Sequence, residues 1–327
     1  MPIPPDLLRD IDHMEPLPIT IQRLMEMQGQ EIVSPRELAE VVEYDQAIAA
    51  TLLRVANSSI VGSRVQVGRV ADAVMRLGVD QILAIALGTH YKQISRPAEM
   101  YDLSENELWL HGALSSVAAK EIASACRSTD IPQIVGVAAL THDIGKLILV
   151  RYVQADTREV VRVAAEREIT FVEAERELFG FDHAEVGGAV AEKWSFPEEV
   201  RDAIARHHQV PVEDPTPVLD TVILANWVAK TIGVGLGAEG MNFNVDAGVA
   251  KRLGFRHREF IQICSRVADL MGDLKRLYGV KEAAGGTRGP RRHTEELWCS
   301  FVDLGSVVQT TEPIRDGDRI ASRSRQQ

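Results

Sequence analysis

The chain is poor in the features that would place it in an oxidising compartment or a membrane. Its three cysteines, Cys126, Cys264 and Cys299, lie far apart and form no CxxC pair. An odd, scattered set argues against a disulfide framework or a zinc ribbon, and buried thiols are expected instead. No apolar run approaches the roughly 18 residues that a spanning helix needs; Ile134 to Leu140 is among the longest. The start, with Pro2, Pro4, Pro5 and Asp6, has neither the basic flank nor the apolar stretch of a secretory leader, so a cytoplasmic location is expected. Alternation of apolar and polar residues over strand-like lengths is missing, as is any repeat of solenoid period. Positive charge is short as well: 36 Lys and Arg face 47 Asp and Glu, a net charge of -11. That field repels phosphate backbones and anionic lipid heads, so neither nucleic acid nor a membrane is the expected partner.

What remains is a chain of 327 residues, 45% hydrophobic, with ample length to bury a core and helical periodicity almost throughout. Ile21, Leu24 and Met25, then Leu38, Val41 and Val42, carry the three-and-four spacing of a buried helix face. Ser34 and Pro35 open the second of these segments as N-cap and first-turn residue. Further helices are expected up to Asn57, through Val70 to Leu77 with an end at Gly78, and from Ile82 to Leu87. Pro97 disfavours helix at Arg96 and marks a boundary. Beyond it the pattern predicts helices over 104–126, 132–154, 157–167, 170–178, 182–194, 197–208, 218–232, 246–253 and 257–278, with Gly233 to Gly240 as a loop. The expected fold class is therefore all-α: an N-terminal helical part over 1–95, a helical bundle over 96–280, and a Gly-, Arg- and Pro-rich linker and tail over 281–327.

Six of nine histidines fall in the second helical set: His111, His142, His183, His207, His208 and His257. Thr141-His142-Asp143-Ile144-Gly145-Lys146 lies inside the apolar stretch Ile134 to Val150. A buried His-Asp pair needs partners, because an unpaired buried polar group costs about 1–3 kcal/mol. A divalent metal (Fe, Mn, Zn or Ni) is one answer and a hydrogen-bonded plug that fixes helix packing is another. Lys146, one turn after the pair, is either a cation placed to grip a phosphate or a solvated surface lysine. Asp182 with Glu185 reads as a capping box, which would leave His183 an incidental first-turn residue. His207 and His208 can likewise be imidazolium groups favoured at a helix C-terminus.

His111, the His142-Asp143 pair and Gly145-Lys146 in an all-helical setting resemble the HD superfamily of metal-dependent phosphohydrolases. Leu17-Pro18, Leu38-Ala39-Glu40, Asp45, the run from Leu52 to Ser58, and Ala73-Val74-Met75-Arg76-Leu77-Gly78 narrow the resemblance to the HDOD family, the HD-related output domains of bacterial signalling proteins. The likeness covers roughly residues 14 to 232. It implies metal ligands at His111, His142, Asp143, His183, His207 and His208, with Glu107 available as a carboxylate bridge. It also implies catalytic roles for Asp143 and for Lys146, the latter holding a phosphate.

Two departures temper the catalytic implication. Where HD enzymes place a final metal-binding Asp, this chain has Asn226, a neutral and weaker ligand. After His207-His208 the chain continues Gln209-Val210-Pro211, without the Gly-Tyr-Pro loop of the cyclic-dinucleotide phosphodiesterases. The expectation is a signal-transduction output module that works through contacts with signalling proteins in trans, its catalysis lost or vestigial. The alternative is an active metal-dependent phosphohydrolase.

Overall fold

The computed structural model describes residues 3–28, 30, 33–58, 61–62, 65–94, 105–126, 129–152, 157–234, 246 and 248–278. Among the described residues every regular element is a helix. The N-terminal part holds α1 (Pro5–Asp12), α2 (Ile19–Gln28), α3 (Pro35–Glu43), α4 (Gln46–Ala56) and α5 (Val70–Ile94). Pro35 occupies the first turn of α3, and the Asp45 carboxylate caps α4 by accepting from the Ala47 and Ile48 amides, both at 3.1 Å. Gly78 breaks α5 with φ 73° and ψ 167°, a conformation that a Cβ would penalise, so the expected end at Gly78 is a real interruption.

The second part comprises α6 (Glu105–Ala125), α7 (Val135–Thr141), α8 (Ile144–Tyr152), α9 (Thr157–Arg167), α10 (Phe171–Phe179), α11 (His183–Lys193), α12 (Glu198–Arg206), α13 (Pro217–Thr231), α14 (Gly248–Arg252) and α15 (His257–Tyr278). One apolar core runs through both parts, from Leu7 and Ile21 through Leu83 and Leu114 to Phe260 and Leu274. A smaller cluster joins Leu108 to α9 and α10 through Val160, Val163, Phe171 and Ala174. The boundary expected near Pro97 and the tail over 281–327 lie outside the described residues, as does most of the Gly233 to Gly240 run and Cys299. Cys126 and Cys264 are buried free thiols, as expected, and burial raises their pKa values to about 11 and about 12. None of the described helices is long and apolar enough to cross a membrane.

One element differs from the sequence expectation. The single helix expected over 132–154 is two, α7 and α8, meeting at His142-Asp143. The His142 Nδ1 donates to the Ala139 carbonyl at 2.8 Å, taking the acceptor that the Asp143 amide would use in a continuing helix. A polar side chain thus ends one helix and turns the chain into the next.

Candidate metal centre

Glycines set the distances on which the site depends. A Cβ on Gly145 in α8 would lie 1.8 Å from the His183 carbonyl oxygen and 2.7 Å from the Gly187 amide nitrogen. Only a residue without Cβ lets α8 and α11 cross this closely, and the crossing carries Asp143 to His183. A Cβ on Gly112 in α6 would lie 2.5 Å from the Leu140 carbonyl oxygen, so the neighbouring His111 sits tight against the end of α7 beside His142.

The cluster is centred on the Asp143 carboxylate. Its Oδ1 lies 3.2 Å from His183 Nε2 and 3.6 Å from His207 Nε2, and its Oδ2 lies 3.5 Å from His142 Nε2 and 3.7 Å from His111 Nε2. His208 joins through its Nε2, 3.1 Å from His183 Nε2. Two ligand groups share the one carboxylate: Asp143, His183, His207 and His208 on one side, and His111, His142 and Asp143 on the other. All six expected ligands are thereby brought together.

The outer ring nitrogens explain why the inner ones converge. His111 Nδ1 faces the Val234 carbonyl at 3.0 Å, His142 Nδ1 the Ala139 carbonyl at 2.8 Å, and His207 Nδ1 the Ile204 carbonyl at 2.8 Å. Each Nδ1 can only donate there, so a neutral ring turns the Nε2 lone pair inward. His111 Nε2 and His142 Nε2 then face each other at 3.3 Å as two acceptors with no proton between them. His207 Nε2 and Asp143 Oδ1 are buried without a hydrogen-bond partner. Facing acceptors repel unless a cation or proton sits between them, and backing each ligating imidazole with an oxygen acceptor is how metal sites fix the tautomer. The donor set therefore fits one or two divalent ions of the Fe, Mn, Zn or Ni type.

The local charges agree. Burial pushes His111 down to about 4, His142 and His208 well below the ordinary imidazole value, and His207 down as well. Burial thus favours the neutral ring that ligation requires, against the helix-end imidazolium reading of His207 and His208. Burial also works against a charge on His183, but the Glu175 carboxylate against its Nδ1, at 2.8 and 3.0 Å, raises it to about 9. Burial alone would raise Asp143; the Lys146 ammonium, 3.0 Å from Oδ2, with His142 next to it, holds it well below the usual carboxylate range.

Two side chains stand elsewhere than the sequence suggested. Glu107 is exposed and belongs to neither ligand group. Lys146 is buried, which removes the solvated alternative, and its ammonium is engaged with Asp143. The capping box at Asp182 is present as read, with Asp182 accepting from the Glu185 amide at 2.9 Å, and His183 serves the cluster from the same turn.

Other residues of the site were not singled out from the sequence. Glu175 is fully buried on α10 and accepts from both the His183 ring and the His183 amide. Its signal was its place on the same face as Phe171 and Ala174, where a carboxylate needs a buried partner. Lys230 is buried on α13, one turn after Asn226, inside a helix that is apolar almost throughout. Asn226 is buried too, and its Oδ1 has no partner.

Access is narrow. His111, His142, Asp143, Lys146, His183 and His207 are buried, whereas His208 is half-buried and lines a cavity of about 350 Å³. Thr170, Arg176, Arg206 and Gln209 share that cavity with the carboxylates of Glu173, Asp182 and Glu185.

A closed helical bundle in which several helices deliver histidines to one aspartate defines an HD-type site, and the comparisons place it in a family. The HDOD domain model matches residues 14–210, more than half of the chain, and the chain belongs to the HDOD domain family. It is similar to an HDOD domain protein of unknown function from Geobacter sulfurreducens, with 25% identity and a TM-score of 0.62 over 93% of this chain and 96% of that one. It also shares its fold with a candidate signal transduction protein from Marinobacter aquaeolei, with 23% identity and a TM-score of 0.68 over 83% of this chain and 60% of that one. A curated relative from Treponema pallidum, itself uncharacterised, is 24% identical over 229 residues, covering 69% of this chain. The chain spans 43% of that relative's length.

Proposed function

We propose that the protein is an HDOD signalling output module built around a divalent metal centre, and that it passes its signal to signalling proteins in trans through contacts rather than turnover. The observation that carries this reading is the convergence of the Nε2 atoms of His111, His142 and His207, each with its Nδ1 against a backbone carbonyl, on the buried Asp143. His111, His142 and Asp143 would hold one ion, and Asp143, His183, His207 and His208 a second. Ions held this way act as Lewis acids and acidify bound water. The chain's own residues are arranged for holding: Asp143 is shared and charge-balanced by Lys146, and Glu175 orients His183. The cation that would be expected to grip a substrate phosphate is committed to Asp143, which weighs toward a regulatory use. The description of the Marinobacter protein as a candidate signal transduction protein supports the same class.

A second reading, a metal-dependent phosphohydrolase, has one observation in its favour, the cavity that reaches the cluster at His208. Elemental mass spectrometry on untagged wild type beside His142→Ala and Asp143→Ala tests the common premise. About one or two Fe, Mn, Zn or Ni ions per chain are expected, lost in both variants. A folded, metal-free wild type would reduce the cluster to a polar plug and sink both readings. Turnover of phosphodiester or nucleotide substrates by the loaded wild type would replace the first reading with the second.

A further inference from the structure

A second cavity, of about 410 Å³, lies where the N-terminal part meets the helical bundle. The segment before α2 and α2 itself supply part of its wall, and the end of α11 with the turn into α12 supplies the rest. None of its lining residues is a candidate metal ligand, and none lines the cavity at His208. Its size and its place between two structural units are those of small-molecule sites.

The wall from α11 offers three hydrogen-bond donors on successive residues. Trp194 caps α11 and is 7% exposed, and its indole N–H is buried with no hydrogen-bond partner. The ring packs against His90 of α5 in a T-shape, with centroids 6.3 Å apart, and against Phe196 at 6.1 Å. An orphaned buried donor is rare in native proteins, and at a cavity wall it points to an acceptor on a ligand. Ser195 follows with φ 56°, the left-handed conformation in which a helix end usually carries glycine. Serine accepts that strain and brings a hydroxyl to the cavity. Lys193, in the last turn of α11, adds an ammonium.

The wall from the N-terminal part has the complementary chemistry. Glu26 contributes a carboxylate, and Leu17 and Met25 contribute apolar surface. The Gln22 amide nitrogen is spent on the Leu17 carbonyl at 2.5 Å, which leaves its side-chain oxygen as an acceptor. Among the described residues nothing pairs with the Glu26 carboxylate, the Lys193 ammonium or the Ser195 hydroxyl. Three consecutive donors suit a carboxylate, an unpaired carboxylate suits an ammonium, and the apolar wall suits hydrocarbon.

We propose that this cavity binds a free α-amino acid with an apolar side chain, its carboxylate on Lys193, Trp194 and Ser195 and its ammonium on Glu26. The assignment does not depend on the metal reading. It gives the output module an input, because the turn from Lys193 to Pro197 joins α11, which starts at His183, to α12, which ends just before His207. A ligand seated on that turn bears on both helices at the ends away from the cluster.

The test is calorimetric titration of L-leucine, L-isoleucine, L-valine, L-methionine and L-phenylalanine, each singly, into the full-length chain. At least one is expected to bind saturably, with a Kd between about 1 μM and 1 mM. Its amide and its N-acetyl form should bind about fivefold or more weakly, as should the free amino acid to Lys193→Met and to Glu26→Gln, each through loss of one partly exposed charge pair. Both side chains are exposed, so the variants are expected to fold, which circular dichroism checks. No saturable binding by any of these amino acids overturns the proposal. Binding that is unchanged in either variant places the ligand elsewhere and also overturns it. An amide or N-acetyl form that binds as tightly as the free amino acid means that the site reads peptide backbone, which overturns the assignment to a zwitterion.

Discussion

The protein gathers two clusters of ionisable groups in its second half, one partly exposed and one buried, and they are built on opposite principles. In the first, Arg252 forks onto Asp220 at 2.8 and 2.7 Å and reaches Asp246 at 3.2 Å. Asp246 also accepts from the Gly248 amide at 2.7 Å and the Val212 amide at 3.2 Å. Every carboxylate oxygen there has a donor, so the triad is complete and ties α14 to α13 and to the segment after α12. In the second, around Asp143, the Nε2 atoms of His111 and His142 face each other as acceptors at 3.3 Å, and His207 Nε2 has no hydrogen bond. A satisfied polar cluster is a structural clamp. One in which buried acceptors face each other is incomplete until a cation or proton arrives.

The contrast breaks most sharply at Gly145. Gly145→Ala would place a methyl group 1.8 Å from the His183 carbonyl oxygen. The obstacle is backbone on both sides, so α8 and α11 must part. The expected cost is about 3 kcal/mol or more, with loss of bound metal, read by chemical denaturation and elemental analysis. If Gly145→Ala retains both stability and metal, the helix crossing does not set the geometry of the site.

Glu175→Gln probes the same cluster from outside. The amide can still face His183 but no longer offers a charged acceptor to its Nδ1, and metal affinity should fall about 10- to 100-fold with little change in helicity. Competition with a chelator of known affinity measures this. An unchanged affinity would mean that His183 is positioned by packing alone.

Arg252→Met sharpens the other side. Arg252 is 30% exposed, so solvent screening reduces the penalty for stranding Asp220, and a loss of about 2 kcal/mol is expected. Metal content and chelator response should match wild type. Should Arg252→Met release the metal, the two clusters are coupled through the segment after α12, which bears His207 and His208, and their separation fails.

Much of this was legible in the sequence because it depends on local pattern. The three-and-four spacing around Leu24 and Leu38, the caps at Asp45 and Asp182 and the break at Gly78 all act over one or two helical turns. The ligand histidines could be named because their motifs resemble a family. The division of α7 from α8 was not legible, because it arises from the His142 side chain taking the Ala139 carbonyl, a competition that periodicity does not register. Glu107 shares a helix face with His111 but is exposed, because spacing along a helix does not say where burial begins. Glu175 and Lys230 were passed over because a charged residue in an apolar helix declares its partner only when another helix arrives.

By itself the sequence determined that the chain is helical and acidic, since these follow from composition and from spacing within a few residues, while the gathering of its histidines at the His142-Asp143 pair was implied by the resemblance to a family. Only the tertiary structure decided that Asp143 stands between two groups of imidazoles, that the buried Lys146 ammonium pairs with it, and that Glu175 backs His183. Those facts depend on helices far apart in the chain crossing where glycines let their backbones touch, a property of the packed whole.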